Sequence, residues 1–229
     1  MNLLAIDTST ESCSAALLCD GRLSERSELA PRRHAELILP MIDSLLTEAG
    51  LSRRRLDGIA VGRGPGAFTG VRLGISVAQG LALGLDIPVV PVSSLAALAL
   101  EAPADTDGAI LAVIDARMGE IYAGAFRREG DGVAPIMDEM VGRASEFTFP
   151  QSKNWTVLGS GWAAYADALV ARLPAPPLFA DGTRYPQARA VARLAQPQFA
   201  AGRGVSPEYA LPVYLRDKVA LTLEEQRAR

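Results

Sequence analysis

The feature that most constrains the fold is a repeat. "ILAVIDARMGEIYAGAF" lies over "NLLAIDTSTESCSAALL" at a constant shift of 108 residues. Asp115 then falls on Asp7, Ile114 on Ile6 and Ala123 on Ala15. Each copy reads as strand, Asp, polar turn, strand, and each ends in a Gly turn, at Gly21 and Gly130. Helical stretches follow, so each half is expected to be an α/β unit with its Asp turn facing a cleft. A chain of 229 residues has room for two such units. The segment 101–108, "EAPADTDG", is rich in Pro, Asp and Gly and reads as the boundary. The expected division is an N-terminal domain of 1–103 with 208–229, to which "PVYLR" returns the chain, and a second domain of 104–207.

In the first half, "LLAID" at 3–7 and "CSAALLC" at 13–19 read as strands. Asp20-Gly21 is a hairpin signal, and "RLSERSEL" continues as a more exposed strand. Residues 34–49 read as a helix ended by Gly50, and "LDGIAVG" as a buried strand. A second helix is expected from about Thr69, as its N-cap, to Leu83. "PVVPV" is a short strand, after which Ser93 or Ser94 caps "LAALALEA". In the second half, "GSG" at 159–161 joins the strand "WTVL" to a helix, a turn with some capacity for an anion. Residues 174–187 read as an irregular connection, and the stretch to Ala201 as helical with a break near Pro197.

Two such halves resemble the actin, sugar-kinase and Hsp70 ATPase superfamily. That resemblance implies Asp turns near the phosphates of ATP, where an Asp orders water or Mg²⁺ and backbone N–H groups meet phosphate oxygens. Asp7, Thr8, Ser9 and Thr10 are then a candidate vestigial phosphate loop. Close backbone approach favours Gly after the Asp, and neither turn has one. In the second, Asp115 is followed by the bulky Ala116, Arg117 and Met118, which suits a structural turn.

"GRGPGAFTGVRLG", 62–74, holds five glycines and opens the second helix. No Gly-Lys-Ser/Thr follows, so it is not a Walker A loop. Gly70, Gly74, Ala78 and Ala82 recur every four residues, beside Leu73, Val77 and Leu81. Helical glycine costs about 1 kcal/mol relative to alanine, so a neighbouring backbone is expected to pack closely on this stripe. That neighbour is either the chain's own sheet or another protein. The preceding helix carries Leu37, Ile38, Met41, Ile42, Leu45 and Leu46 within an apolar arc of roughly 200°, wider than one core needs. It is buried on two sides of its own domain, or it packs on its sheet and also on a partner.

Several classes are disfavoured. The formal charge is −3, whereas a chain that grips RNA alone is usually basic. A metallopeptidase needs several protein ligands, but His34 is the one histidine, with Ala30 and Ile38 four residues away on either side. His34 therefore reads as a solvated or capping residue. No Gly-x-Ser-x-Gly elbow is present. A small-molecule kinase would need two intact phosphate loops and a base. The Arg53-Arg54-Arg55 run is expected to be a solvated patch past a helix end. Cys13 and Cys19 suit a reducing compartment and two small side chains on one strand face. "MNLLAIDTST" lacks a basic n-region and no apolar run reaches about 18 residues uninterrupted, so a cytoplasmic location is expected.

Together, "LLAIDTST", "RRHAELILPMIDSLL", "LDGIAVGRGPGAFTGVRLG", "AQGLALG", "VSSLAALA", "VIDARMGEIYAGAF" and "PVYLR", in that order, resemble the TsaB (YeaZ) family of bacterial tRNA threonylcarbamoyladenosine biosynthesis proteins. The likeness runs from residue 2 to about 216, and Ala67 stands where the family more often has Ser. It implies a non-catalytic paralogue of TsaD, the enzyme that transfers threonylcarbamoyl to adenosine 37 of ANN-decoding tRNAs. It also implies a heterodimer with TsaD through the first two helices, and TsaE in a larger complex that meets the tRNA. The implied contact residues are Leu37, Ile38, Met41, Ile42 and Leu45 on the first helix and Gly70, Arg72, Leu73, Gly74, Val77 and Ala78 on the second. No metal site and no cofactor of its own are expected. ATP or ADP at the junction with the partner, and a homodimer of the chain alone, are left open.

Overall fold

The computed structural model describes residues 1–216. The remainder of the 208–229 segment lies outside the described residues. The first half begins with an antiparallel meander, β1 (Leu3–Asp7), β2 (Ser12–Cys19) and β3 (Arg22–Leu29). There follow α1 (His34–Glu48), β4 (Gly58–Gly62), α2 (Phe68–Leu85), β5 (Val89–Val92) and α3 (Ser94–Leu100). The second half holds β6 (Ala109–Arg117), β7 (Glu120–Glu129), β8 (Gly132–Pro135), β9 (Met140–Arg143), β10 (Trp155–Leu158), α4 (Ser160–Val170), β11 (Phe179–Asp181) and α5 (Ala188–Ala200).

The two sheets share one plan. The first runs β3-β2-β1-β4-β5, and the second, read from the same side, β8-β7-β6-β10-β11 with β9 also on β7. In each, an antiparallel meander continues into parallel strands. This is the expected duplicated α/β architecture. The repeat is not strict. Asp7 lies opposite Ser14, and Asp115 opposite Ile121, so the second turn is one residue shorter. Ile6 therefore pairs with Ala15 but Ile114 with Tyr122, and Ala123 is not the counterpart of Ala15.

Local chemistry explains the elements. β1 and β4 are buried along their whole length, as continuous apolar runs in the middle of a covered sheet should be. β3 is a charged edge strand. Asp20 and Gly21 both take positive φ, which a two-residue hairpin turn requires. α1 closes on Gly50 in the left-handed region, with Leu51 N–H donating to Leu46 O. Ser93 caps α3 by accepting from Ala96 N–H at 3.1 Å. The expected Thr69 cap is not used: α2 begins at Phe68, its N-cap is Ala67, and Ala67 N–H donates instead to Ser9 O.

α1 and α2 cover one face of the first sheet, over Leu4, Ile6, Leu17, Ile59 and Val61. The other face is covered by α5, whose Ala188, Val191, Ala192 and Ala195 pack on Leu3, Ala5, Ala60 and Val90. α5 lies within the 104–207 span read as the second domain, yet it packs on the first sheet, because its small side chains match the small side chains there. α2, at 18 residues, is long and apolar enough to cross a membrane by length and composition. Its inner residues Val71, Ile75, Ala78 and Ala82 are buried against the chain's own sheet. Of the two cysteines, Cys13 is fully buried and Cys19 partly exposed, and both are free thiols.

Candidate functional site

The Asp7 turn sits inside the protein. Asp7, Ser9 and Thr8 are at most 1% exposed. Asp7 Oδ1 accepts from Ser9 N–H at 2.9 Å and from Ser9 Oγ–H at 2.7 Å, and Oδ2 accepts from Ser94 Oγ–H at 3.5 Å. A Cβ on Gly62 would overlap Oδ2, so the carboxyl points into the core and not into the cleft. His34 pins the turn from the far side, its Nε2 lying 2.8 Å from Thr10 O. It is half-buried, and its ring makes this contact with the turn's backbone. Among the described residues, no three His, Cys, Asp or Glu side chains gather as metal ligands.

Burial pushes the Asp7 carboxyl above the ordinary carboxylate range, although the bonds from Ser9 and Ser94 and the charge of His34 oppose this. The folded chain therefore holds a proton that the unfolded chain releases. The resulting stabilisation is complete below the unfolded value and is lost as pH rises through the folded one. At neutral pH the buried group is a liability. Asp7→Asn should raise the melting temperature at pH 7, by about 2–4 °C for each kcal/mol recovered. The gain should shrink as both proteins are melted at progressively lower pH. A fall in melting temperature at pH 7 would contradict this description of the site.

The glycine-rich loop has a structural task. A Cβ on Gly66 would overlap Ser9 O, and one on Gly70 would overlap Thr8 O. A Cβ on Gly74 would stand 2.7 Å from Thr8 Oγ1. Ala67 N–H donates to Ser9 O at 2.7 Å, and Thr8 Oγ–H donates to Gly70 O at 2.7 Å. The glycines let the start of α2 lie directly on Thr8 and Ser9. The turn read from the sequence as a candidate phosphate loop is here the floor beneath a helix.

This corrects the reading of the small-residue stripe as a partner surface. Gly74 and Ala78 are buried and Gly70 half-buried, all facing Thr8, Val61 and the sheet. Ile38, Ile42 and Leu45 are likewise core residues, at most 2% exposed. Leu37 and Met41 on α1 and Leu73 and Val77 on α2 stay partly accessible, and Arg72 is exposed. Two residues that the sequence reading missed share their face: Gly80 and Gly84 are exposed, with nothing within 4 Å of where a Cβ would stand. They lie roughly 160° around the helix from Ala78 and Ala82. Their spacing of four was the available signal, masked by the longer inner stripe.

The second Asp turn is also occupied. Asp115 accepts from Arg117 N–H at 2.9 Å and pairs with its guanidinium at 3.0 Å, while Arg117 reaches Glu11 at 2.8 Å across the cleft. Arg117 and Met118 both take left-handed backbone, which is costly for side chains with a Cβ. Gly159 and Gly161 of the "GSG" turn allow α4 to press against Val113. The Arg53–Arg55 run is an exposed turn in which Arg53 pairs with Asp43. Between the halves a cavity of about 490 Å³ remains, bordered by Phe68, Arg72, Tyr122, Arg117, Tyr214 and Arg216.

Comparison with known proteins bears on this geometry. The model of the TsaD family, tRNA N6-adenosine threonylcarbamoyltransferase, matches residues 26–221. The tRNA threonylcarbamoyladenosine biosynthesis protein TsaB of Escherichia coli is 41% identical over 96% of both chains. The TsaB of Haemophilus influenzae is 39% identical over 96% of this chain and 95% of its own. The solved structure of YeaZ from Pseudomonas aeruginosa is 44% identical and superposes with a TM-score of 0.86, covering 93% of this chain and 99% of that one. On the strength of its strand–Asp–strand repeat, its glycine-packed second helix and these full-length likenesses, the chain belongs to the TsaB (YeaZ) family of tRNA threonylcarbamoyladenosine biosynthesis proteins.

Proposed function

We propose that the chain is a non-catalytic subunit that supports threonylcarbamoylation of adenosine 37 in ANN-decoding tRNAs by binding the TsaD transferase. The observation that carries this reading is the state of the Asp7 turn. Its carboxyl is enclosed by Ser9, Gly62 of β4 and Ser94 at the start of α3, so it does not reach a nucleotide in the cleft. α2, which lies over Thr8 and Ser9 of that turn, presents Leu73, Val77, Gly80 and Gly84 outwards, and Leu37 and Met41 continue the apolar strip on α1. Exposed glycines inside a helix are unfavourable alone and become useful when another backbone packs on them. TsaD is the occupant, TsaE joins the complex thereafter, and tRNA is met through the assembly. The chain alone closes the same strip on a second copy. It has no cofactor of its own; ATP or ADP belongs at the junction with the partner.

The test is a tRNA modification reaction from which each component is omitted in turn. Leaving out this chain should abolish or strongly reduce product, and this chain alone should form none. It should neither turn over ATP nor bind tRNA more tightly than about the micromolar range of non-specific contacts at physiological salt. Steady ATP turnover by the purified chain, lost in Asp7→Ala, would overturn the reading.

A further inference from the structure

Arg72 is the one charged residue of α2. Its guanidinium carbon lies 3.5 Å from the centroid of the Phe68 ring and 5.3 Å from that of Tyr214. Its Nε–H donates to the Tyr214 hydroxyl at 2.6 Å. Tyr214 arrives from the far end of the chain, on a segment held along α2 by Gln79 Nε2–H to Ala210 O at 3.3 Å and by Val213 N–H to Arg63 O at 2.9 Å. The cation is thus fixed on two sides, and the rotamer freedom of a long side chain is already given up.

Ion pairing sets Arg72 apart. Arg117 and Arg216, which border the same cleft, pair with Glu11 and Glu120. Among the described residues, no carboxylate comes to Arg72. The terminal nitrogens of the guanidinium, the part that binds a carboxylate through two parallel bonds, keep their donors. The surroundings are apolar and uncovered: Phe68 is 48% exposed, Tyr214 49%, Leu211 59% and Tyr209 67%. Exposed Tyr and Arg with apolar neighbours are the composition of an interface hot spot.

We propose that Arg72, held between Phe68 and Tyr214, receives a carboxylate side chain of the protein partner, so that the docking surface runs from the outer face of α2 onto residues 209–214. The proposal rests on the reading above that TsaD is that partner. A protein carboxylate suits the site better than an RNA phosphate, because a phosphate-reading surface gathers several cations and α2 has one. Stacking also explains why Lys would not replace Arg here, since an ammonium offers neither the flat face nor the fork.

The test measures affinity for TsaD of the same organism, using wild type, Arg72→Ala, Arg72→Lys, Phe68→Ala and, as a control on the main face, Gly84→Arg. Melting temperatures establish that each variant is folded. Arg72→Ala should weaken binding by about 30-fold or more, and Arg72→Lys and Phe68→Ala by about tenfold. Arg72→Glu should be rescued by one Asp→Arg or Glu→Arg change in TsaD. Wild type that does not bind TsaD would overturn the proposed function, and this inference with it. Wild type that binds, with Gly84→Arg lost but Arg72→Ala within threefold of wild type, would overturn this inference alone. Loss of tRNA retention by the complex in Arg72→Ala, at unchanged TsaD affinity, would also overturn it and assign Arg72 to phosphate.

Discussion

Gly74→Arg should fail to give a stable monomer. A Cβ at this position stands 2.7 Å from Thr8 Oγ1 and 3.6 Å from Val61 Cγ2, in a buried seam between α2 and β1–β4. Three methylenes and a guanidinium have nowhere to go there. An unpaired buried charge typically costs about 3–5 kcal/mol, against a total stability of about 5–15 kcal/mol for a domain. At about 2–4 °C per kcal/mol, the melting temperature should fall by about 6–20 °C, or the variant should be insoluble. Circular dichroism melts of Gly74→Arg beside wild type decide the matter. A variant that melts like wild type would mean that the stripe does not face the sheet.

The same substitution ten residues on should do the reverse. At Gly84 a Cβ meets nothing within 4 Å, and replacing a helical glycine gains about 1 kcal/mol of helix propensity. Gly84→Arg should therefore fold at least as well as wild type. If another backbone packs closely on Gly80 and Gly84, the inserted side chain holds it off. Affinity for TsaD should drop by about 100-fold or more, which is about 2.8 kcal/mol at 1.4 kcal/mol per tenfold. Calorimetric titration measures it. Unchanged affinity in a folded Gly84→Arg would remove the outer face of α2 from the interface.

These two positions also mark how far the sequence could be read. A glycine every four residues announced that a backbone lies close to α2, and one does. Composition could not say which backbone, because an internal sheet and an external helix ask for the same small side chain. The decision came from Thr8 and Ser9, some 60 residues earlier in the chain, whose carbonyls sit where the Cβ atoms would be. The strand–Asp–strand repeat, the first two helices and the Ser93 cap were local and periodic, and so were legible. Three features were not, because each depends on distant contacts. One is the one-residue shortening of the second Asp turn, which breaks the Ala15–Ala123 match. Another is the seat of α5 on the first sheet. The last is the stack of Phe68, Arg72 and Tyr214, joined across 142 residues.

The most direct test is a titration of this chain into a fixed amount of TsaD, with the other components of the reaction in excess and modified tRNA as the readout. Product should rise from near zero to a plateau at about one chain per TsaD, with Asp7→Asn giving the same curve as wild type and Gly84→Arg displaced far to the right. Full modification by TsaD without this chain would contradict the supporting role, and loss of the plateau in a folded Asp7→Asn would contradict the non-catalytic one.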